Sequence, residues 1–327
     1  MIRCRQFNKM SIVLIISLAV IFCGAFSDFA HASGGLRKGM NSFSVKHNGY
    51  GREYMVYVPG AMDKTKPSAL VFVLHGGGGT AAGAAASFGF NEIAERQKFV
   101  VAYPQGYKNH WNDSRTDMKT EAHRLNMDDT GFISSILETL ENELKIDKNM
   151  VFSAGISNGA MMSHRLGFEM SDKFAAVACV VGSIPEVFIT RKMSPKEPVS
   201  VIIFNGTEDP LVPWSGGVVA KDRGRVISVK NTVDFWVRFD GCAMTPVSEK
   251  VPDGDPKDGV TMRKITYSGG KKGAGVVFYA MEGGGHTWPG RKIAGRLYNW
   301  YVGRTCMDMD ATGAIWLFFR SHGKKTN

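Results

Sequence analysis

The stretch MVFSAGISNGAMMSHRLGFEM (residues 150–170) decides how this chain is read. Its first six residues are an apolar, β-prone run. Met161, Met162, Arg165 and Leu166 then follow at helical spacing. Between the two halves stands Gly155-x-Ser157-x-Gly159. The pattern alone says little, because a chain with 38 Gly and 23 Ser among 327 residues holds about 0.3 such matches by chance. The setting says more. A serine on a tight strand-to-helix turn, flanked by two residues without side chains, is a nucleophile-elbow arrangement. The helix N-terminus behind it favours negative charge.

Outward from this turn, apolar runs alternate with helical patterns. Residues 53–59, 68–75, 99–104, 150–155, 175–181, 199–206 and 274–281 read as strands. Their near-continuous Val, Ile and Phe content predicts burial on both faces, as in a parallel sheet. Amphipathic helices are predicted after Asp129 as the cap, after Ser157, over about 226–239, and over 311–321 after Asp308 or Asp310. The alternation predicts an α/β domain with a mostly parallel central sheet and helices on both faces, and the elbow at Ser157 is the arrangement of an α/β-hydrolase fold. The segment after Val181 is too short for a large cap, so an open cleft is expected.

A serine hydroxyl needs a base, and the base needs an orienting acid. In this fold they follow in the order Ser, acid, His. Of the later histidines, His164 lies two turns along the same helix and His322 in the polar tail. His286, in the loop MEGGGHTWPG after a strand, is the expected base. VSVIIFNGTEDP offers Glu208 and Asp209, of which Asp209, before Pro210, is preferred; Glu282 is the outside candidate. An oxyanion hole is expected from the backbone N–H of Asn158 and from Gly76 and Gly77 of the loop HGGGG (75–79). No phosphate-loop lysine follows those glycines. His75 reads as a structural residue at the base of that loop.

Residues 1–32 read as a cleaved secretory signal peptide: Arg3, Arg5 and Lys9, then an apolar run, then Ala30-His31-Ala32. Its three bases and one acid lower the net charge from +10 to about +8 on removal. Residues 33–327 are then expected to be a single catalytic domain, a monomer, in an extracellular or periplasmic setting. The bases are dispersed rather than clustered, which argues against nucleic acid as partner and leaves a weak attraction to anionic polymers. Cys179 sits in an apolar run and reads as a buried thiol, so Cys242–Cys306 is the available disulfide. Metal ligation is not expected: VPDGDPKDG (251–259) looks calcium-like at Asp253 and Asp255, but Lys257 and Lys264 stand where oxygen ligands belong.

HGGGG (75–79), DDTGF (128–132), GISNGAMM (155–162), NGTEDPLVP (205–213), GGGHTWPG (283–290) and DMDATGAIW (308–316) resemble the secreted esterases that include poly(3-hydroxybutyrate) depolymerases and feruloyl or acetylxylan esterases. The resemblance implies Ser157, Asp209 and His286 as triad and a carboxylic-ester hydrolase without cofactor. It also implies a partner for Cys242 near 267–272, where this chain has no cysteine. Trp214 and Trp288 follow the acid and base closely, and Trp111 lies in a long irregular stretch; all three are expected at the cleft as substrate contacts. Aryl, short-acyl or hydroxyalkanoate esters, polymers included, are the expected substrates. A serine peptidase or amidase, or a silent binding protein on the same scaffold, are the competing readings.

Overall fold

The computed structural model describes residues 35–291 and 300–324. The leader read in residues 1–32 lies outside them.

Each strand expected from an apolar run is present. They are β2 (Tyr50–Val58), β3 (Ser68–Leu74), β4 (Val100–Pro104), β5 (Ile146–Ile156), β6 (Ala176–Val180), β7 (Ser200–Gly206) and β12 (Val276–Glu282). Five more join them: β1 (Gly39–His47), β10 (Val247–Lys250), β11 (Thr261–Tyr267) and the short pair β8 (Gly217–Val218) and β9 (Arg225–Val226). Ten strands form one sheet in the order β1-β2-β4-β3-β5-β6-β7-β12-β11-β10. Its six central strands, β4 to β12 in that order, are parallel; the outer strands pair antiparallel.

Alternate residues of each strand feed opposite layers. On β3, Val71 and Val73 pack with α1 (Ala81–Ser87), α2 (Phe90–Gln97) and the last described helix, α8 (Ala311–Ser321). Leu70, Phe72 and Leu74 face α4 (Asp129–Glu143) instead. On β12, Val276, Phe278 and Ala280 pack with Val233, Trp236 and Val237 of α7 (Val229–Asp240). Helices therefore cover both faces. The connection from β6 to β7 holds only α6 (Glu186–Thr190), so among the described residues no large cap stands over the sheet. No described helix is long and apolar enough to cross a membrane.

Two expectations change. The cap of α4 is Asp128, whose Oδ1 accepts the N–H of Gly131 at 2.9 Å. Asp129 is inside the helix and fully buried, paired with Arg52 at 2.6 Å. The three described cysteines are all free and buried. Cys242 belongs to the α7 layer and Cys306 to the opposite one, so the sheet lies between the two sulfurs that the expected disulfide would join.

Asp240, at the end of α7, is fully buried. Its Oδ1 accepts the N–H of Val199 at 3.0 Å, while Oδ2 has no partner. Burial pushes its carboxyl up from 3.8 to about 7. The folded state therefore holds a proton that the unfolded state releases. Its contribution to stability is fullest below about pH 4 and falls as pH rises towards 7. Asp240→Asn keeps the acceptor and removes the charge. Its Tm should exceed wild type by roughly 2–6 °C at pH 8 and by little at pH 4. An equal shift at both pH values would refute this account.

Candidate active site

The chain runs from β3 outward to β4, then returns to lay β5 on the other side of β3. The carboxyl ends of β3 and β5 thus part at a topological switch point, where open α/β sheets place their ligands. The glycine loop leaves β3 there, and Ser157 leaves β5.

Ser157 joins β5 to α5 (Asn158–Glu169) with its backbone at φ 56° and ψ −120°. That region is strained for a residue with a side chain and persists only where the surroundings leave no alternative. Here its N–H donates to the Val180 carbonyl at 2.9 Å, and its carbonyl accepts Met161 N–H at 2.9 Å. A Cβ on Gly155 would lie 2.3 Å from the Gly159 carbonyl oxygen, and one on Gly159 would lie 2.4 Å from that of Leu74. Both glycines are therefore demanded by the close approach of β5, α5 and β3. Ser157 lines a cleft of about 460 Å³ together with Gly76, Gly77, Asn158, Leu211 and His286.

His286 follows the turn after β12 and is tied by its own N–H to the Val302 carbonyl at 2.5 Å. Its Nδ1 lies 2.8 Å from Asp209 Oδ2, and both side chains are buried. The carboxylate only accepts, so Nδ1 carries the proton and Nε2 is left as an acceptor. Asp209 is fixed in turn, because its Oδ1 accepts the backbone N–H groups of Leu211 (2.8 Å) and Val212 (2.9 Å). Glu208, by contrast, is exposed, 3.8 Å from Arg304. Glu282 lies 3.7 Å from Arg263. His164 is buried among Trp236 and the Gly182 carbonyl, and burial holds it down at about 3.

The glycine loop meets the serine turn directly. A Cβ on Gly76 would lie 3.6 Å from Ser157 Cβ, and one on Gly77 the same distance from Asn158 Cβ. The N–H of Asn158 begins α5 and has no preceding helical turn to accept it. His75 anchors the loop: Nδ1–H donates to the Gly76 carbonyl (2.8 Å) and Nε2 accepts Gly106 N–H (2.9 Å). Burial holds that imidazole at about 4, so it stays neutral.

The three tryptophans do not reach the cleft. Trp111 is fully buried, its indole N–H donating to the His75 carbonyl at 2.9 Å. Its backbone clasps the Asn158 amide: Asn158 Oδ1 accepts Trp111 N–H (2.9 Å) and Nδ2 donates to Trp111 O (3.0 Å). Trp288 is fully buried, stacked on Phe88 at 4.4 Å and bonded to Thr312. Trp214 packs beside Phe278 at 5.9 Å. These indoles rigidify the loops instead of walling the substrate, which corrects the expected contacts. The residues that do line the cleft, and that the sequence reading missed, include His110, Arg115, Met118, Arg223 and Tyr301. The first three come from the long irregular stretch, whose length was the available signal. Nothing in the sequence pointed to Arg223.

Among the described residues, one group of possible metal ligands lies close together: Asp258, Cys306 and Asp308, within 4.8 Å of one another. Three of its four carboxylate oxygens accept backbone N–H groups, from Val260, Met307 and Gly254. It clasps the 251–259 loop to the segment before α8.

An imidazole oriented by a carboxylate, beside a strained serine and a glycine loop, can deprotonate the hydroxyl and stabilise an oxyanion. Comparison with known proteins points to ester hydrolysis. Residues 52–203 match the family model described as esterase PHB depolymerase. The chain is 31% identical over 251 residues to the putative esterase NocK of Nocardia uniformis subsp. tsuyamanensis, covering 73% of this chain and 71% of that protein. It is 25% identical over 286 residues to feruloyl esterase D of Neurospora crassa, covering 84% and 87%. The fold is shared with the acetyl xylan esterase from Aspergillus awamori, with a TM-score of 0.54 and 17% identity over 80% of this chain and 98% of that one.

Proposed function

The chain belongs to the esterase PHB depolymerase family and is a carboxylic-ester hydrolase, and on that premise we propose that it works through an acyl-enzyme formed on Ser157. His286 Nε2 takes the hydroxyl proton as Oγ attacks the ester carbonyl. The oxyanion that forms is met by the N–H of Asn158 and by the loop at Gly76 and Gly77. His286 then returns the proton to the leaving alcohol, and a water activated in the same way releases the acid. Asp209 fixes the tautomer and stabilises the imidazolium. The observation that carries this reading is the 2.8 Å bond from His286 Nδ1 to Asp209 beside the cleft that Ser157 lines.

Soluble aryl or short-acyl esters are the preferred substrates in this reading, with access for polymer chains because no cap among the described residues encloses the cleft. The relatives named for feruloyl and acetyl xylan esters support that class. The basic head, apolar run and A-x-A site of residues 1–32 support export.

The test is covalent trapping. The mature protein should hydrolyse 4-nitrophenyl butyrate and lose that activity on reaction with a fluorophosphonate. Peptide mass spectrometry should then find the adduct on Ser157. An adduct elsewhere, or an active enzyme that resists the reagent, would reject the acyl-enzyme.

A further inference from the structure

We propose that the natural ester carries a carboxylate near its scissile bond, and that Arg223 is the residue that binds it. This rests on the esterase reading and extends it by naming a substrate class.

The described residues lining the cleft include no Asp or Glu. They include His110, Arg115 and Arg223, which differ in what faces them. His110 is pushed down by burial and stays uncharged at neutral pH. Arg115 is buried and its charge is answered: its Nε lies 3.0 Å and 2.9 Å from the two oxygens of Asp113, and its Nη2 lies 2.8 Å from Oδ2. Arg223 is different. It is half-buried, and among the described residues its guanidinium has neither an ion pair nor a hydrogen bond.

The backbone that carries Arg223 is fixed. Its N–H donates to the Val219 carbonyl at 3.1 Å, and its carbonyl accepts Arg115 Nη1 at 2.6 Å. At Gly224, a Cβ would lie 2.6 Å from the Thr116 carbonyl oxygen, so the β8–β9 turn sits hard against the irregular stretch. On the same rim Lys221 lies over the Tyr301 ring, 5.0 Å from its centroid. A second hollow shares Arg115 and Met118 with the cleft and continues with the exposed Lys119 and Arg191 against the single acid Asp117.

An uncompensated, half-desolvated cation on a fixed turn attracts an anion and loses little freedom in binding it. A neutral acyl or acetyl ester gives that charge nothing to bind. A carboxylate does, whether it is the free end of a hydroxyalkanoate oligomer or a uronic acid on a polysaccharide.

The test compares kcat/KM for mono-(4-nitrophenyl) glutarate with that for its neutral methyl ester. The wild type should favour the anionic ester roughly tenfold at low ionic strength, and the preference should shrink as salt is added. Arg223→Gln should bring the ratio near one, Arg223→Lys should restore part of it, and Arg223→Glu should invert it. A matching Tm certifies that each variant is folded. A wild-type ratio of one, or a ratio that Arg223→Gln leaves unchanged, would overturn the inference alone. Inactivity on both esters would overturn the esterase reading and this inference with it. Two further pairs separate the sources: a 3-hydroxybutyrate dimer against its methyl ester, and an acetylated aldouronic xylo-oligosaccharide against its carboxyl-reduced form. The pair whose preference depends on Arg223 identifies the source.

Discussion

Ser157→Ala should lower kcat for 4-nitrophenyl butyrate by roughly 10⁴- to 10⁶-fold while leaving Tm close to wild type. The loss is large because the hydroxyl is the attacking atom, and no other group on the turn can replace it. Asn158 has its side chain committed to Trp111 and Asp113. A residual rate above water is expected, since the glycine loop and the Asn158 N–H remain in place. The fold should survive, because the strained backbone at φ 56° is imposed by β5, α5 and the flanking glycines rather than by the hydroxyl. Alanine carries the same Cβ into the same conformation. A variant within tenfold of wild type would remove Ser157 from the chemistry.

The elbow is legible in the sequence because three signals coincide there. An apolar run ends, a helical pattern begins, and glycines stand on both sides of one serine. The same kind of signal exposed the buried strands, whose Val and Ile runs have no other use. The strand β1 escaped because it is an edge strand that alternates half-buried and exposed residues, GMNSFSVKH, with Ser and Lys on its open face. Asp129 reads as a cap because sequence does not distinguish which of two adjacent carboxylates turns back to the helix and which turns inward to Arg52. The tryptophans failed for a related reason. Proximity in sequence to Asp209 and His286 fixes where an indole's backbone is, but not which side of the loop it faces. Trp288 turns inward to Phe88 and Thr312. The disulfide failed because two cysteines far apart in sequence carry no record of the sheet between them.

Asp209→Asn should lower kcat roughly 10⁴-fold, nearly as much as loss of the nucleophile, although it removes no reacting atom. The asparagine carbonyl can still accept the N–H groups of Leu211 and Val212, so the turn should hold. Its amide nitrogen would then take the place of Oδ2 and point a donor at His286 Nδ1. Nδ1 would have to become an acceptor, which moves the ring proton to Nε2, the atom that must take the serine proton. The imidazolium formed on attack would also lose its counter-charge. Glu208→Gln is the internal control: exposed and 3.8 Å from Arg304, it should change kcat less than twofold. The opposite ranking would transfer the acid's role to Glu208. If instead Asp209→Asn alone is impaired, activity should recover in part at high pH, where a deprotonated hydroxyl or hydroxide substitutes for the missing general base. Recovery of that kind distinguishes a misdirected histidine from a collapsed loop, which no rise in pH would repair.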